Sequence, residues 1–361
     1  MYDNLKAFYK KKKVFITGHT GFKGAWMVSA LLGMGAEVAG YALESPTNPS
    51  LFGLCGFEKE MRSELGDIRD LAHLEETMSE FDPDIVIHMA AQPLVRESYR
   101  KPIYTYETNV MGTVNVLECV RLQNNVKSFL NVTTDKVYLN RELGQAFTED
   151  EPLDGYDPYS NSKSCSELVT HSYKSSFFDG SDVAISTARA GNVIGGGDFA
   201  KDRIVPDCVR AVEKGEPIIV RNPHSTRPYQ HVLEPVMAYL LIAKRCYEDI
   251  SLAGSYNVGP DESDCLTTGE LADIFCTKWN EAASQDSSLK RASWLNRSDG
   301  GPHEASFLKL DSSKIKKTFG WKPTWDAEKA IEKTVEWTVD YFTGKSVRDT
   351  VAKQIEEYMR G

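Results

Sequence analysis

A tyrosine and a lysine separated by three residues, Tyr159 and Lys163, are the first arrangement in this sequence that could do chemistry. On a helix that spacing puts both side chains on one face, a turn apart. A neighbouring ammonium favours phenolate and lowers the tyrosine pKa, so the phenol can serve as a general base toward a hydroxyl group. The spacing recurs at Tyr9/Lys13 and Tyr341/Lys345, so by itself it marks nothing. The competing reading is an ordinary amphipathic helix with a solvated lysine. The copy at 159 differs in its setting, because it follows a strand-like run bearing hydroxyls at Thr133 and Thr134, and a glycine-rich loop precedes both.

That loop, Thr17-Gly18-His19-Thr20-Gly21-Phe22-Lys23-Gly24, has its glycines three apart, directly after an apolar run and at the start of a helical pattern. Gly18, Gly21 and Gly24 permit a tight turn and let backbone N–H groups approach a pyrophosphate at the positive end of a helix. Thr20, Phe22 and Lys23 complete the candidate cofactor loop. A plain strand-to-helix turn is the bland alternative, and the strand and helix around the loop favour dinucleotide binding. The second strand ends without an obvious acid for the ribose, Glu44 being the nearest carboxylate, and the nearest base beyond it is Lys59. With nothing to mark a 2′-phosphate pocket, the expectation is NAD. Asp67, followed by Ile68, comes after the third strand, where it could accept from the adenine amino group or cap a helix.

These groups need a scaffold, and the first half of the chain supplies its pattern. Strand-like runs at 14–17, 37–43, 62–65, 84–90, 129–133 and 183–188 alternate with helical patterns at 22–34, 68–80, 103–123 and 158–177. Nearly continuous apolar strands between helices indicate a parallel sheet covered on both faces. The fold class expected is α/β, a doubly wound Rossmann parallel sheet with a smaller, mixed C-terminal substrate domain. Residues 1–190 would form the NAD(P)-binding domain and carry the catalytic groups. Residues 191–361 would mainly bind substrate and return a strand near 256–258 to the sheet. Residues 280–301 read as a loop, and the helical pattern at 347–359 as peripheral.

Thr134, Asp135 and Lys136 follow the fifth strand, at the carboxyl edge where ligands bind in such sheets; a strand-end loop with a surface ion pair is the alternative. Arg203, Arg221 and Arg227 are candidates for holding an anionic substrate, since guanidinium grips phosphate bidentately. His88 and His231 lie in no ligand-spaced cluster and read as structural, with no metal expected. The 361 residues carry a net charge of −10, which argues against nonspecific nucleic-acid binding. No apolar run reaches the roughly 18 residues of a membrane span, and the start of the chain lacks a signal-peptide pattern. A cytoplasmic protein is expected. Seven cysteines without CxxC spacing suggest reduced thiols.

Together the loop at 17–24, His88-Met89-Ala90-Ala91-Gln92, Asn109-Val110-Met111-Gly112-Thr113, Thr134 and Tyr159/Lys163 resemble the extended short-chain dehydrogenases. Within that group nearly the whole chain is similar to the nucleotide-sugar 4,6-dehydratases, notably through Thr133-Thr134-Asp135-Lys136-Val137-Tyr138, Gln92-Pro93-Leu94-Val95 and Arg189-Ala190-Gly191-Asn192-Val193-Ile194-Gly195-Gly196-Gly197-Asp198. The resemblance implies a hydro-lyase of deoxysugar biosynthesis, with Ala90, Ala91, Gln92, Asn109, Tyr159 and Lys163 on the cofactor and Asn192 and Arg227 on the substrate. It also implies Tyr159 as base at the sugar 4-hydroxyl and Asp135 as acid at the departing 6-hydroxyl. The dehydratases acting on dTDP-glucose and GDP-mannose carry Thr-Asp-Glu here, with the glutamate as base at C5. The Asp-Lys pair of this chain is that of the dehydratases acting on CDP-glucose, which points to that substrate. A lysine must be neutral to take the C5 proton, so burial or a neighbouring positive charge would have to lower its pKa. A 4-epimerase, a plain dehydrogenase, a dehydratase for another nucleotide sugar and a non-catalytic NAD(P) binder are the alternatives. The resemblance further implies a homodimer or homotetramer that pairs the helices at 103–123 and 158–177 as a four-helix bundle.

Overall fold

The computed structural model describes residues 2–141, 144–297 and 308–361. Seven parallel strands form the central sheet: β1 (Lys13–Thr17), β2 (Glu37–Ala42), β3 (Arg62–Leu65), β4 (Ile85–His88), β5 (Ser128–Val132), β6 (Ala184–Ala190) and β7 (Ser255–Val258). Their order is β7-β6-β5-β4-β1-β2-β3. The chain winds outward from β1 through β3, then returns to place β4 against the other side of β1. The β1/β4 crevice is therefore the switch point where ligands bind in doubly wound sheets. Strand alternation divides the core between two faces: Val14 and Ile16 join one apolar cluster, and Phe15 between them joins another.

One face is closed by the helices Phe22–Gly33, Leu233–Glu248 and Val347–Arg360. The last of these is not peripheral. Val347, Val351, Ile355 and Tyr358 recur at helical spacing and are buried, and the Tyr358 hydroxyl donates to Glu234 at 2.7 Å. A largely polar composition hides this stripe in the sequence. A helix at Tyr2–Tyr9, which the sequence pattern did not announce, buries Leu5 and Tyr9 against the same face; Tyr9 donates to the Leu240 carbonyl at 2.8 Å. The other face carries Leu71–Phe81, Gly112–Leu122 and Pro158–Phe177.

The helix expected at 103–123 consists of Pro102–Tyr106, a π-helical turn at Glu107–Met111 and Gly112–Leu122. Such single π turns recur at functional sites, and this one contains Asn109. A third apolar cluster, which includes Phe275 and Trp279, lies among the helices Ile204–Lys214, Thr268–Gln285 and Ala327–Phe342. The segment read as a loop at 280–301 instead begins inside the helix Thr268–Gln285 and includes a strand, Trp294–Asn296, paired with Ile218–Val220. Residues 298–301 of that segment lie outside the described residues.

Candidate active site

The glycine loop turns at the carboxyl end of β1. Gly18 has φ +83°, and a Cβ there would lie 2.8 Å from the Ala90 nitrogen. At Gly24 a Cβ would lie 2.2 Å from the Gly18 carbonyl oxygen, so the helix can start against the loop only with glycine. The Thr17 hydroxyl accepts from the backbone N–H groups of Met89 and Ala90, each at 3.1 Å, and this draws the ends of β1 and β4 together. The result is a bare backbone cradle at a helix N-terminus, which fits the pyrophosphate of a dinucleotide. Thr20 donates to the Leu43 carbonyl at 2.9 Å. Asp67 caps no helix: Asp70 caps Leu71–Phe81, while Asp67 holds Arg69, whose hydrogen bonds push the carboxyl pKa down. Ile68 is buried against Gly112, where a Cβ would lie 2.4 Å from its Cδ1.

Ala90 and Ala91 continue from β4 to Gln92, whose backbone N–H donates to Asn109 Oδ1 at 2.8 Å. The Asn109 amide in turn donates to Ser162 at 2.9 Å. This joins the π turn to the tyrosine helix, Pro158–Phe177. Ser162, Ser166 and Thr170 recur every fourth residue along that helix and form one stripe. Ser166 meets Thr113 and Asn131, each at 2.9 Å, and Asn131 also reaches Thr170 at 2.8 Å. The helix is thus fixed against the sheet by a polar seam, which sets its rotation more narrowly than apolar contact would.

Tyr159 and Lys163 project from this helix toward the end of β5. Lys163 is buried and donates to the Val132 carbonyl at 3.2 Å; burial brings its pKa down to about 8. Burial raises the Tyr159 pKa, and the groups that oppose it are Lys136, the Thr134 hydroxyl and Arg203. Two cations that act on Tyr159 thus come from outside its own helix, Lys136 from the strand-end loop and Arg203 from farther along the chain. Other Tyr/Lys copies stand elsewhere, with Tyr9 in the core and Lys345 paired with Asp340 at 2.8 Å.

Thr134, Asp135 and Lys136 make a single turn after β5, capped by the Thr134 side chain. Asp135 is fully buried. Its Oδ1 accepts from the Thr134 hydroxyl and from Lys136 Nζ, each at 3.0 Å. Its Oδ2 is buried and has no hydrogen-bond partner. A buried oxygen left unmatched costs stability, and here it lies where a Cβ on Gly191 would come within 2.9 Å. Lys136 also reaches Asn192 Oδ1 at 3.5 Å. Lys23 donates to the Tyr239 hydroxyl at 3.3 Å, and burial followed by the Arg203 and Lys163 charges brings its pKa down to about 7.

The three arginines are not equivalent. Arg203 acts electrostatically on Tyr159 and Lys23, and its guanidinium pairs with Asp198 at 3.0 Å. Arg221 pairs with Asp202 and Asp207, at 3.2 and 3.3 Å. Arg227 is buried in a short strand paired with Leu266–Thr267. His88 lies between Thr17 at 2.7 Å and Thr113 at 3.1 Å, with its pKa brought to about 3 by burial, and His231 packs edge-on to Trp26 and Trp325. Among the described residues no group of three His, Cys, Asp or Glu could hold a metal, and no helix is long and apolar enough to cross a membrane.

Sequence reasoning missed Glu167 and Arg189 as a pair. Glu167, four residues beyond Lys163, is buried and accepts from Thr133, from Thr187 at 2.7 Å and from Arg189 at 3.0 Å. Arg189 also donates to the Tyr138 hydroxyl at 2.8 Å. The available signal was a lone charged residue, Arg189, inside the strand run Ala184–Ala190, which demands a buried partner.

The family model for GDP-mannose 4,6 dehydratase matches residues 15–334. Over 360 residues the chain is 46% identical to the CDP-glucose 4,6-dehydratase of Salmonella typhimurium, covering 98% of each chain. It is 29% identical to the dTDP-glucose 4,6-dehydratase of Streptomyces griseus, covering 90% of this chain and 93% of the relative. Among solved structures, a UDP-glucose 4-epimerase of Thermus thermophilus in complex with NAD superposes with a TM-score of 0.73 at 26% identity, covering 90% of this chain and 98% of the other. An epimerase of Methanothermobacter thermautotrophicus superposes with a TM-score of 0.78 at 22% identity, covering 96% and 97%, a likeness of fold alone.

Proposed function

Because the chain belongs to the GDP-mannose 4,6-dehydratase family, we propose that it converts CDP-glucose to CDP-4-keto-6-deoxyglucose with loss of water, using NAD. The observation that carries this reading is the buried Asp135, with its unpartnered Oδ2, hydrogen-bonded to Lys136 beside Tyr159. An epimerase has no need of an acid near C6. The Salmonella relative bears the name CDP-glucose 4,6-dehydratase, which supports the choice of nucleotide.

The glycine cradle, with Asp67, Ile68, Ala90, Ala91, Gln92, Asn109 and Lys163, would hold NAD. When bound, NAD takes a hydride from C4 and returns it at C6. Tyr159 accepts the 4-hydroxyl proton, and the Lys136 charge and the Thr134 hydroxyl work against the rise in phenol pKa that burial causes. The 4-keto group acidifies C5–H; Lys136, having passed its ammonium proton to the hydrogen-bonded Asp135, takes the C5 proton and gives it back to C5 when the hydride reaches C6. Asp135 delivers a proton to the departing 6-hydroxyl, since hydroxide is a poor leaving group without one. Asn192 orients the sugar. Arg203, Arg221 and Arg227 face the diphosphate, and for Arg203 and Arg221 its oxygens would replace the carboxylates that pair with them now.

The division into a cofactor-binding part, 1–190, and a mainly substrate-binding part, 191–361, follows from this assignment. Ile103 and Met111, on the helical stretch beside the tyrosine helix, and Leu168 and Phe177 on the tyrosine helix are exposed. An apolar surface of that kind supports a homodimer or homotetramer formed through the two helices. The enzyme would act in the cytoplasm.

The deciding experiment is incubation with CDP-glucose and NAD, followed by mass analysis of the sugar nucleotide. A product lighter by one water is expected. Unchanged mass with an altered sugar would identify an epimerase, and no turnover would remove the enzymatic reading. Turnover of GDP-mannose or dTDP-glucose in preference to CDP-glucose would overturn the nucleotide assignment.

A further inference from the structure

Tyr159 stands on a helix, whereas Asp135 and Lys136 stand on the turn after β5. The reaction proposed above needs both. Tyr159 works at O4, and Lys136 and Asp135 work at the next two carbons, C5 and C6, of the same bound sugar. One pose of the sugar serves every step only if helix and turn keep a fixed offset, because a displacement of about 1 Å can cost about 10²-fold in rate.

That offset is held from outside the site. Thr133 precedes the turn and Tyr138 ends it, and both are buried. The Thr133 hydroxyl donates to Glu167 Oε1. The Tyr138 hydroxyl accepts from Arg189 Nη1 at 2.8 Å. Arg189 Nη2 closes the bridge to Glu167 Oε2 at 3.0 Å, and Thr187 donates to the same oxygen at 2.7 Å. Glu167 belongs to the tyrosine helix, about two turns beyond Tyr159, and Arg189 belongs to β6. One carboxylate–guanidinium pair thus grips both ends of the turn and ties them to the helix that carries Tyr159. Tyr138 is fixed further by stacking on Phe147, with ring centres 4.9 Å apart, and by donating to Asn257 Oδ1 at 2.6 Å. Ser164, also on the tyrosine helix, adds a tie to the Val137 carbonyl at 2.7 Å. A buried ion pair adds little net stability over apolar side chains of the same size. It does fix directions, since a planar guanidinium and a carboxylate bond along set lines.

On the dehydratase reading above, we propose that Glu167 and Arg189 are positioning residues: by gripping Thr133 and Tyr138 they set the Asp135/Lys136 turn against the Tyr159 helix, so that elimination follows oxidation on one pose of the sugar. The helix itself is held independently, by Ser162 on Asn109, Ser166 on Thr113 and Asn131, and Thr170 on Asn131. Loosening the grip therefore shifts the turn and leaves Tyr159 in place, and the two half-reactions come apart.

The test is a single turnover of the NAD-loaded enzyme with CDP-glucose. Absorbance follows the reduced cofactor, and mass analysis of the quenched sugar nucleotide follows the loss of water. Thr133→Val and Tyr138→Phe keep the side-chain size and remove one grip each. In both, reduced cofactor should form within about twofold of the wild-type rate while loss of water slows by about tenfold or more, as a shift of under about 1 Å would produce. A 4-keto sugar that keeps its 6-hydroxyl should build up in between. Thr133→Ser, which returns the hydroxyl, should restore the wild-type ratio of the two rates. Combining Thr133→Val with Tyr138→Phe should slow the loss of water further than either alone. Two unchanged rates in the single variants would overturn the positioning role. Two rates reduced together would do the same, since that is the pattern of a merely structural pair, and so would slowing of the oxidation alone. A wild type that releases no water from CDP-glucose would instead sink the dehydratase reading, and the positioning role with it.

Discussion

The two faces of the central sheet are held in opposite ways. The helix Leu233–Glu248 closes one face with Leu233, Val236, Met237, Leu240 and Ile242, all buried. The tyrosine helix closes the other, and its buried positions are Ser160, Ser162, Lys163, Ser164, Ser166, Glu167 and Thr170. Apolar packing is non-directional and tolerates small rotations of a helix. A hydrogen-bonded seam does not, because each misaligned pair leaves buried polar groups unmatched. The catalytic side chains stand on the second kind of face. The difference separates what supplies stability from what supplies position.

The largest effect expected from breaking that division lies at the site itself. Asp135→Asn should lower turnover of CDP-glucose by at least about 10²-fold, the lower end for loss of a general acid, while the unfolding midpoint stays near that of wild type. It should accumulate reduced cofactor and a 4-keto sugar that keeps its 6-hydroxyl, read by absorbance and by mass of the quenched mixture. Normal dehydration by this variant would clear Asp135 of the acid's role. Tyr159→Phe should instead lose the oxidation, by about 10²- to 10⁴-fold, and still bind NAD.

Next comes the seam's buried charge. Glu167→Met leaves the Arg189 guanidinium buried without its partner and should cost about 3–5 kcal/mol in denaturant unfolding. Glu167→Met combined with Arg189→Met should recover much of that stability without recovering activity. Equal loss of stability in the single and double variants would show that the pair does not act as a unit.

The apolar face contains its own exception in Glu234, which accepts from the backbone N–H groups of Thr324 and Trp325 and from Tyr358. Burial dominates these hydrogen bonds and brings the carboxyl pKa up to about 7 from 4.5. A raised folded pKa means that the folded state holds the proton longer than the unfolded state does. Stability should therefore fall as pH rises from about 4.5 to 7 and level off above, by about 3 kcal/mol in total. In Glu234→Gln that slope should disappear from unfolding curves measured across this range. An unchanged slope would assign it to other groups.

The smallest effect on stability is expected at the surface. Ile103→Asp should change unfolding by no more than about 0.5 kcal/mol per chain at matched oligomeric state. Light scattering should nevertheless show a shift toward the 40.4 kDa monomer. A wild type that is already monomeric at working concentration would remove the proposed interface.

Much of the scaffold was legible in the residues because its determinants are local. A strand covered on both faces must be apolar throughout, so the run at 84–90 announced β4, and Gly18 and Gly24 announced a loop that no larger residue could form. The grouping of Thr134, Asp135, Lys136, Tyr159 and Lys163 was also readable, since strand ends and helix faces follow from spacing. The sequence by itself determined which chemical groups are present and in what order along the chain. It did not determine which of them meet. Only the tertiary structure brought the Lys136 and Arg203 charges to bear on Tyr159, paired Glu167 with Arg189 across a gap of 22 residues, and turned the polar stretch at 347–360 into core. These outcomes depend on burial and on distances between segments far apart in the chain. Both the cost of desolvating a charge and the strength of its pairing are set by that surrounding protein, not by the neighbours in sequence.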